Sequence, residues 1–243
     1  MASVPNTHNA AREQLRYTRV AIVLHWAIAA FILYNLLSGL LRDSLPKGFF
    51  QFHVSSGITI LVLSVVRVVW RLTHRPPALL PMAQWERSLS KVVHFLIYTA
   101  ILVVPFSGWA MVSASPPMGS AGAAWAEAHR PGGPAPVTMS VPAPAAVKAA
   151  AVPPRARGPM VWGILPLPTI APIKEIGRSA DGASQQRALR DQLGTFHVIG
   201  AWMMLILLLL HVAGALKHQF VDRQRELARM GLGRAAQDDS KTR

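Results

Sequence analysis

The 243-residue chain contains no cysteine. That excludes disulfides, thiolate zinc sites, iron–sulfur clusters and covalent attachment of a c-type haem, so any redox cofactor must be held non-covalently, by His or Met. Charge is also scarce. Asp, Glu, Lys and Arg make up 15% of the chain, against about 25% in soluble domains. Acidic residues are the scarcest, 11 against 25 Lys and Arg, for a net charge of +14. With 51% hydrophobic residues, the chain lacks the groups that keep a surface in water, and a membrane protein is the first reading. No cleavable signal peptide is expected. The first apolar run is too long for a signal h-region, and its exit, "SGLLRDSLPKGFF", is a poor match to a small-residue cleavage site.

Four runs reach the roughly 20 apolar residues that a span requires: 20–41, 49–72, 92–114 and 196–216. Backbone groups in lipid find no water, so these runs must be helices. Trp26, Trp70 and Trp109 lie near span ends, where amphipathic rings meet the interface. The fold expected is an all-α membrane protein, a bundle of four transmembrane helices.

Basic residues orient it. The arm at 1–19, the second loop and the tail at 221–243 with its approach hold most of the Lys and Arg, whereas the short first loop has only Arg42 and Lys47. The positive-inside rule then puts both termini in the cytoplasm. The same asymmetry accounts for most of the +14, which argues against a nucleic-acid role. The lipid bilayer is the partner that follows.

Between the third and fourth spans lies a long loop. Its first part, Pro116–Gly158, holds nine of the 19 prolines and is otherwise rich in Ala and Gly. Such composition buries too little apolar area to offset its ordering entropy, so a disordered periplasmic insertion is expected at 116–158. The stretch "MVWGILPLPTIAPIKE" (Met160–Glu175) is more apolar, and is expected along the outer surface or capping the bundle.

Histidines carry the chemistry. His197 and His211 are 14 residues apart on the fourth span, nearly four turns, so their rings share one face about 21 Å apart along the axis. One metal ion cannot bridge that gap, whereas two stacked cofactors can. The first span enters from the inside with His25 near its start, and the second enters from outside with His53 near its start. In an antiparallel bundle His25 shares a level with His211, and His53 with His197. Two His pairs, one per leaflet, suit bis-His axial ligation of two non-covalent b haems. A lone intramembrane His more often makes an interhelical hydrogen bond, but four rings at two matched levels are harder to obtain by chance.

Arg67 follows His53 by 14 residues, which places it on the same helix face at the level of the inner pair. A buried Arg needs an anion, and a haem propionate is one candidate; snorkelling to the inner interface is the other. His94, early in the third span, is left as an alternative ligand, a propionate or quinone contact, or polar packing. Gly57, Gly200 and Gly214 follow His53, His197 and His211 by three or four residues. They suit either a flat macrocycle or close helix packing. His74, His218, His8 and His129 are assigned no role, the last two falling in expected disorder.

The stretches "YTRVAIVLHW" (Tyr17–Trp26), "FHVSSGITILVLSVVRVVWRLTHRPP" (Phe52–Pro77), "KVVHFLIYTAILVVPFSGWAM" (Lys91–Met111) and "FHVIGAWMMLILLLLHVAGALKHQF" (Phe196–Phe220) resemble the bacterial cytochrome b561 family, four-helix di-haem membrane cytochromes that include superoxide oxidase. The insertion at 116–158 departs from the family pattern. The resemblance maps the family's four haem ligands onto His25, His53, His197 and His211. It implies two haem b groups, a multi-pass place in the bacterial inner membrane, and exchange with the ubiquinone pool, with superoxide or a periplasmic redox partner at the other end. In a superoxide oxidase, superoxide gives its electron to haem and quinone collects it. Lys174, Arg178, Arg187 and Arg190 would steer the anion, or form only a solvated basic linker. Two other classes stand beside this reading: a membrane-anchor subunit relaying a partner dehydrogenase's electrons, and a haem-free transporter or scaffold. The second is disfavoured because proton relays mix Asp, Glu and His and the span interiors hold no central carboxylate.

Overall fold

The computed structural model describes residues 17–46, 48–74, 76–77, 82–130, 160–224 and 226–232. Four long helices dominate: α1 (Arg19–Leu40), α2 (Gly48–Thr73), α3 (Gln84–Ser113) and, after four short elements, α6 (Ala180–Leu216). Each is long and apolar enough to cross a membrane. The chain is an all-α membrane bundle.

Burial is arranged as lipid requires. Leu33, Leu37, Val62, Ile206 and Leu209 are exposed, whereas Ser55, Ser56 and Ser64 are fully buried. Apolar side chains meet hydrocarbon at no cost, and small residues let helices approach one another. Ser55 and Ser56 each donate to the carbonyl four residues back, Gln51 and Phe52, so their hydroxyls are satisfied within the helix.

Two helices outrun the apolar stretches that announce them. α3 begins eight residues before Val92, and α6 sixteen before Phe196. Hydropathy registers only the immersed part of a helix, while the polar turns "QWERSLSK" and "ADGASQQRALRDQLG" continue the backbone ladder into water. Ser179 starts the latter by accepting from Gly182 N at 3.0 Å. At its far end α6 passes into a π-helical turn, Lys217–Val221.

The long loop departs from expectation at its beginning. Ser120 caps a helix, α4 (Ala121–Ala128), accepting from Ala123 N, so residues 116–130 are ordered; His129 closes that helix. The capping hydroxyl and an alanine-rich turn outweigh the prolines that flank them. The remainder of the expected disordered segment, 131–158, lies outside the described residues, as does His8. Met160–Val161 (β1) and Leu165–Pro166 (β2) pair antiparallel. Trp162, Gly163 and Ile164 connect them; Trp162 and Gly163 have φ 54° and 70°, with Ile164 N donating to Val161 O at 3.1 Å, the positive-φ pair of a type I′ turn. Trp162 is held there by its N–H on Ser55 Oγ at 2.9 Å and its ring against Phe52. Helix α5 (Ala171–Ile176) follows, and α7 (Glu226–Arg229) ends the described chain.

By contacts the chain forms two compact units. The first comprises Met1–Leu40, Thr59–Val104 and Ile199–Arg243. Its core is Ile28, Ile32, Ile60, Ala100, Ile101, Met204 and Leu207. The second comprises Leu41–Ile58 and Pro105–Val198. In it the hairpin and α5 are tied to α3 by Trp109 Nε1 donating to Pro168 O at 2.7 Å and Ile170 N donating to Ser113 Oγ at 3.1 Å.

Candidate functional site

Each unit holds one pair of the four histidines. In the first, α1 supplies His25 and α6 supplies His211, with ring centroids 6.1 Å apart and planes at 68°. In the second, α2 supplies His53 and α6 supplies His197, 6.2 Å apart at 71°. All four rings are half-buried.

That spacing tests a metal between the rings. A metal–imidazole nitrogen bond of about 2.0 Å, as for zinc and close to it for iron, plus about 1.1 Å from nitrogen to ring centre, would put two rings on opposite sides of a metal about 6.2 Å apart. Both pairs meet it. His94, on α3, stands 5.1 Å from His211, too near for an iron between them. Its Nδ1 lies 2.6 Å from Ser90 O, so His94 is oriented by its own helix. The fit extends to the surroundings. A Cβ on Gly57 or on Gly214 would meet nothing within 4 Å, which leaves room beside His53 and His211 for a flat group. Gly200 behaves otherwise: its Cβ would stand 2.7 Å from Val104 Cγ2, so it serves close helix packing.

His197 is held by α3. Its Nδ1 is 3.1 Å from Ser107 Oγ, and a Cβ on Gly108 would come within 3.0 Å of its Cε1. A hydroxyl can accept from an Nδ1–H, and with the hydrogen there Nε2 would be the nitrogen open to a metal. Sequence reasoning missed both residues. Their only signal is a Ser-Gly pair within the apolar third span, which reads equally as helix packing. On the other side of this pair, Phe50 stacks on His53 at 6.3 Å and 4°.

Arg67 is turned toward α1. Its guanidinium donates to Ala21 O at 3.1 Å and to His25 Nδ1 at 3.3 Å, and lies 5.9 Å from the centre of the Tyr98 ring. It therefore does not run out to the interface. Tyr98 was not foreseen either. A separate cluster joins α3 to the π turn: Lys217 Nζ is 2.6 Å from Glu86 and 2.9 Å from Asp222, which also pairs with His218 at 2.7 Å. Ligand atoms of Glu86, His218 and Asp222 lie within 4.8 Å of one another, but the ammonium already occupies the cation position. Lys217, and then His218, hold the Asp222 carboxyl below the usual carboxylate range.

Residues 16–233 match the family described as prokaryotic cytochrome b561. The chain belongs to that family. Cytochrome b561 homolog 2 of Escherichia coli (strain K12) is 25% identical over 92% of this chain and 94% of its own length. Cytochrome b561 homolog 1 of the same organism is 25% identical over 41% of this chain and 61% of its own. "Probable superoxide oxidase CybB" of Yersinia pestis is 28% identical over 40% of this chain and 58% of its own. As a cytochrome b561 with four apolar helices, the chain is a multi-pass bacterial inner-membrane protein of electron transfer, and its family implies haem b. The donor set suits that cofactor: imidazoles facing each other in pairs, with no carboxylate paired to them among the described residues.

Proposed function

We propose that this cytochrome b561 carries electrons across the inner membrane through two b haems, one held by His25 and His211 and the other by His53 and His197, with both termini in the cytoplasm. It exchanges electrons with the ubiquinone pool and, at its other end, with superoxide or a periplasmic redox partner. The observation that carries the reading is the pair of ring separations, 6.1 and 6.2 Å. Haem b, when bound, supplies reversible one-electron chemistry with no proton or bond change at the iron.

The protein residues do the rest. Each imidazole presents one nitrogen and must keep its hydrogen on the other. Ser107 serves that need at His197. At the other pair Arg67 stands 3.3 Å from His25 Nδ1, and as a half-buried cation it would hold an anionic group such as a haem propionate. A low-dielectric bundle also keeps each group's geometry constant as charge changes. Superoxide enters as a candidate substrate through the resemblance to superoxide oxidases and through the name of the Yersinia pestis relative.

The test is a pyridine haemochrome assay with reduced-minus-oxidised spectra on purified wild type, His197→Ala and His211→Ala. Two haems per chain are expected, with each variant losing a different one. No haem, or a single haem indifferent to both changes, would overturn the assignment. Turnover of superoxide and quinone by the purified chain alone would separate an enzyme from a relay subunit that needs a dehydrogenase.

A further inference from the structure

The ordered beginning of the insertion takes no part in the histidine sites, yet it builds something. α4 lies against the polar start of α6, the two making a groove of about 350 Å³ lined by Trp125, His129, Arg130, Arg187, Arg190 and Asp191. The groove is constructed with care. Gly122 N donates to Arg178 O at 3.1 Å, and a Cβ on Gly122 would stand 1.9 Å from Gly177 O, so only glycine permits the approach. Gln186 is buried and donates to the carbonyls of Ile173 and Lys174 at 2.8 and 3.2 Å. Arg187 crosses to His129 O at 3.0 Å. The Trp125 and His129 rings stack at 4.3 Å.

Its charge is positive. Arg130 leans on Glu127 at 3.6 Å, but neither Arg187 nor Arg190 is ion-paired among the described residues, and Asp191 alone opposes them in the lining. All four arginine and aspartate side chains of the wall are exposed. Arg190 precedes His197 by seven residues on α6. Seven residues are almost two turns, so Arg190 stands over nearly the same helix face about 10 Å along the axis. Two arginines and a tryptophan at an open rim are what protein interfaces concentrate, and a groove of about 350 Å³ is far larger than a diatomic substrate needs.

We propose that this groove docks the acidic face of a water-soluble one-electron carrier protein beside the His53/His197 site. The inference rests on the reading of that pair as a haem site. The exchange moves one electron between the carrier's redox centre and the haem iron, with no bond made or broken and no proton moved. Encounters of this kind are small and charge-steered.

The probe is succinylated cytochrome c, whose lysines carry added carboxylates, with native basic cytochrome c and ferricyanide as companions. The full chain, in neutral-lipid nanodiscs, is reduced and mixed with each oxidised probe in stopped flow; binding of succinylated cytochrome c is measured separately. For the Arg187→Glu/Arg190→Glu chain at low ionic strength, the rate with succinylated cytochrome c is expected to fall about tenfold or more, and its binding to weaken in parallel. The rate with native cytochrome c is expected to rise, and at high salt the differences to vanish. Trp125→Ala should weaken binding without changing the salt dependence. Unchanged binding and rate in the charge-reversed chain, with haem spectra intact, would overturn the docking site. An equal fall with ferricyanide would also overturn it, leaving only a general field for small anions. Binding that still weakens in a chain lacking the His53/His197 haem would uphold the docking site while the haem reading failed.

Discussion

At the scale of single residues, three glycines separate two kinds of work. Gly57 and Gly214 face open space, whereas Gly200 faces Val104 at 2.7 Å. Gly57→Leu and Gly214→Leu are each expected to cost one haem per chain, at different sites, as read by pyridine haemochrome. Gly200→Ala should instead lower stability by about 1–3 kcal/mol through overpacking, measured by unfolding in mixed micelles, with haem stoichiometry kept. Ser107→Ala removes the hydroxyl at His197 Nδ1. Losing such an outer partner typically costs 10–100-fold in metal affinity, so weaker retention of one haem during haem-scavenging by apomyoglobin is expected, with the other haem unaffected. Arg67→Leu should shift the potential or lower the occupancy of the His25/His211 haem. If a redox titration finds both unchanged, Arg67 does not hold a propionate.

At the scale of elements, the π turn at Lys217–Val221 is secured to the start of α3 by one lysine between two carboxylates. π turns often mark functional places in helices, and here the turn brings Lys217 and His218 to Asp222. Because the Asp222 carboxyl titrates below its ordinary value, the stability it contributes is present above the ordinary aspartate range, about 3.9, and is lost as pH falls through the lower folded-state value. The melting temperature of Asp222→Asn should therefore trail wild type at pH 7 and at pH 5, with the gap closing toward pH 3. A gap that stays constant across that range would show that the pairing contributes nothing. The pair is partly exposed, so the effect is expected to be small and to shrink with salt.

At the scale of the whole molecule, the distribution of charge sets the expected orientation. Basic residues crowd the arm, the second loop and the tail, and leave the first loop nearly bare. A C-terminal green fluorescent protein fusion should accordingly fluoresce, and alkaline phosphatase inserted near residue 145 should be active. The opposite pattern would reverse the assignment of the two sites to the two faces of the membrane.

The sequence by itself determined the four spans, because a lipid-immersed helix advertises itself through composition. It also determined which histidines belong together, because helical rise and alternating direction assign depth without any knowledge of packing. Helix ends were less legible: α3 and α6 run on through polar turns that hydropathy does not register, and a capping serine, Ser120, starts a helix at the head of a segment whose composition argued for disorder. What stands beside each ring was decided only by the tertiary structure. Ser107 and Gly108 against His197, Arg67 against His25, the distance that excludes His94, and the arginine-rimmed groove all depend on how helix faces rotate and close on one another. Local periodicity gives a residue its height on a helix, but only the packing of several helices at once selects its neighbours.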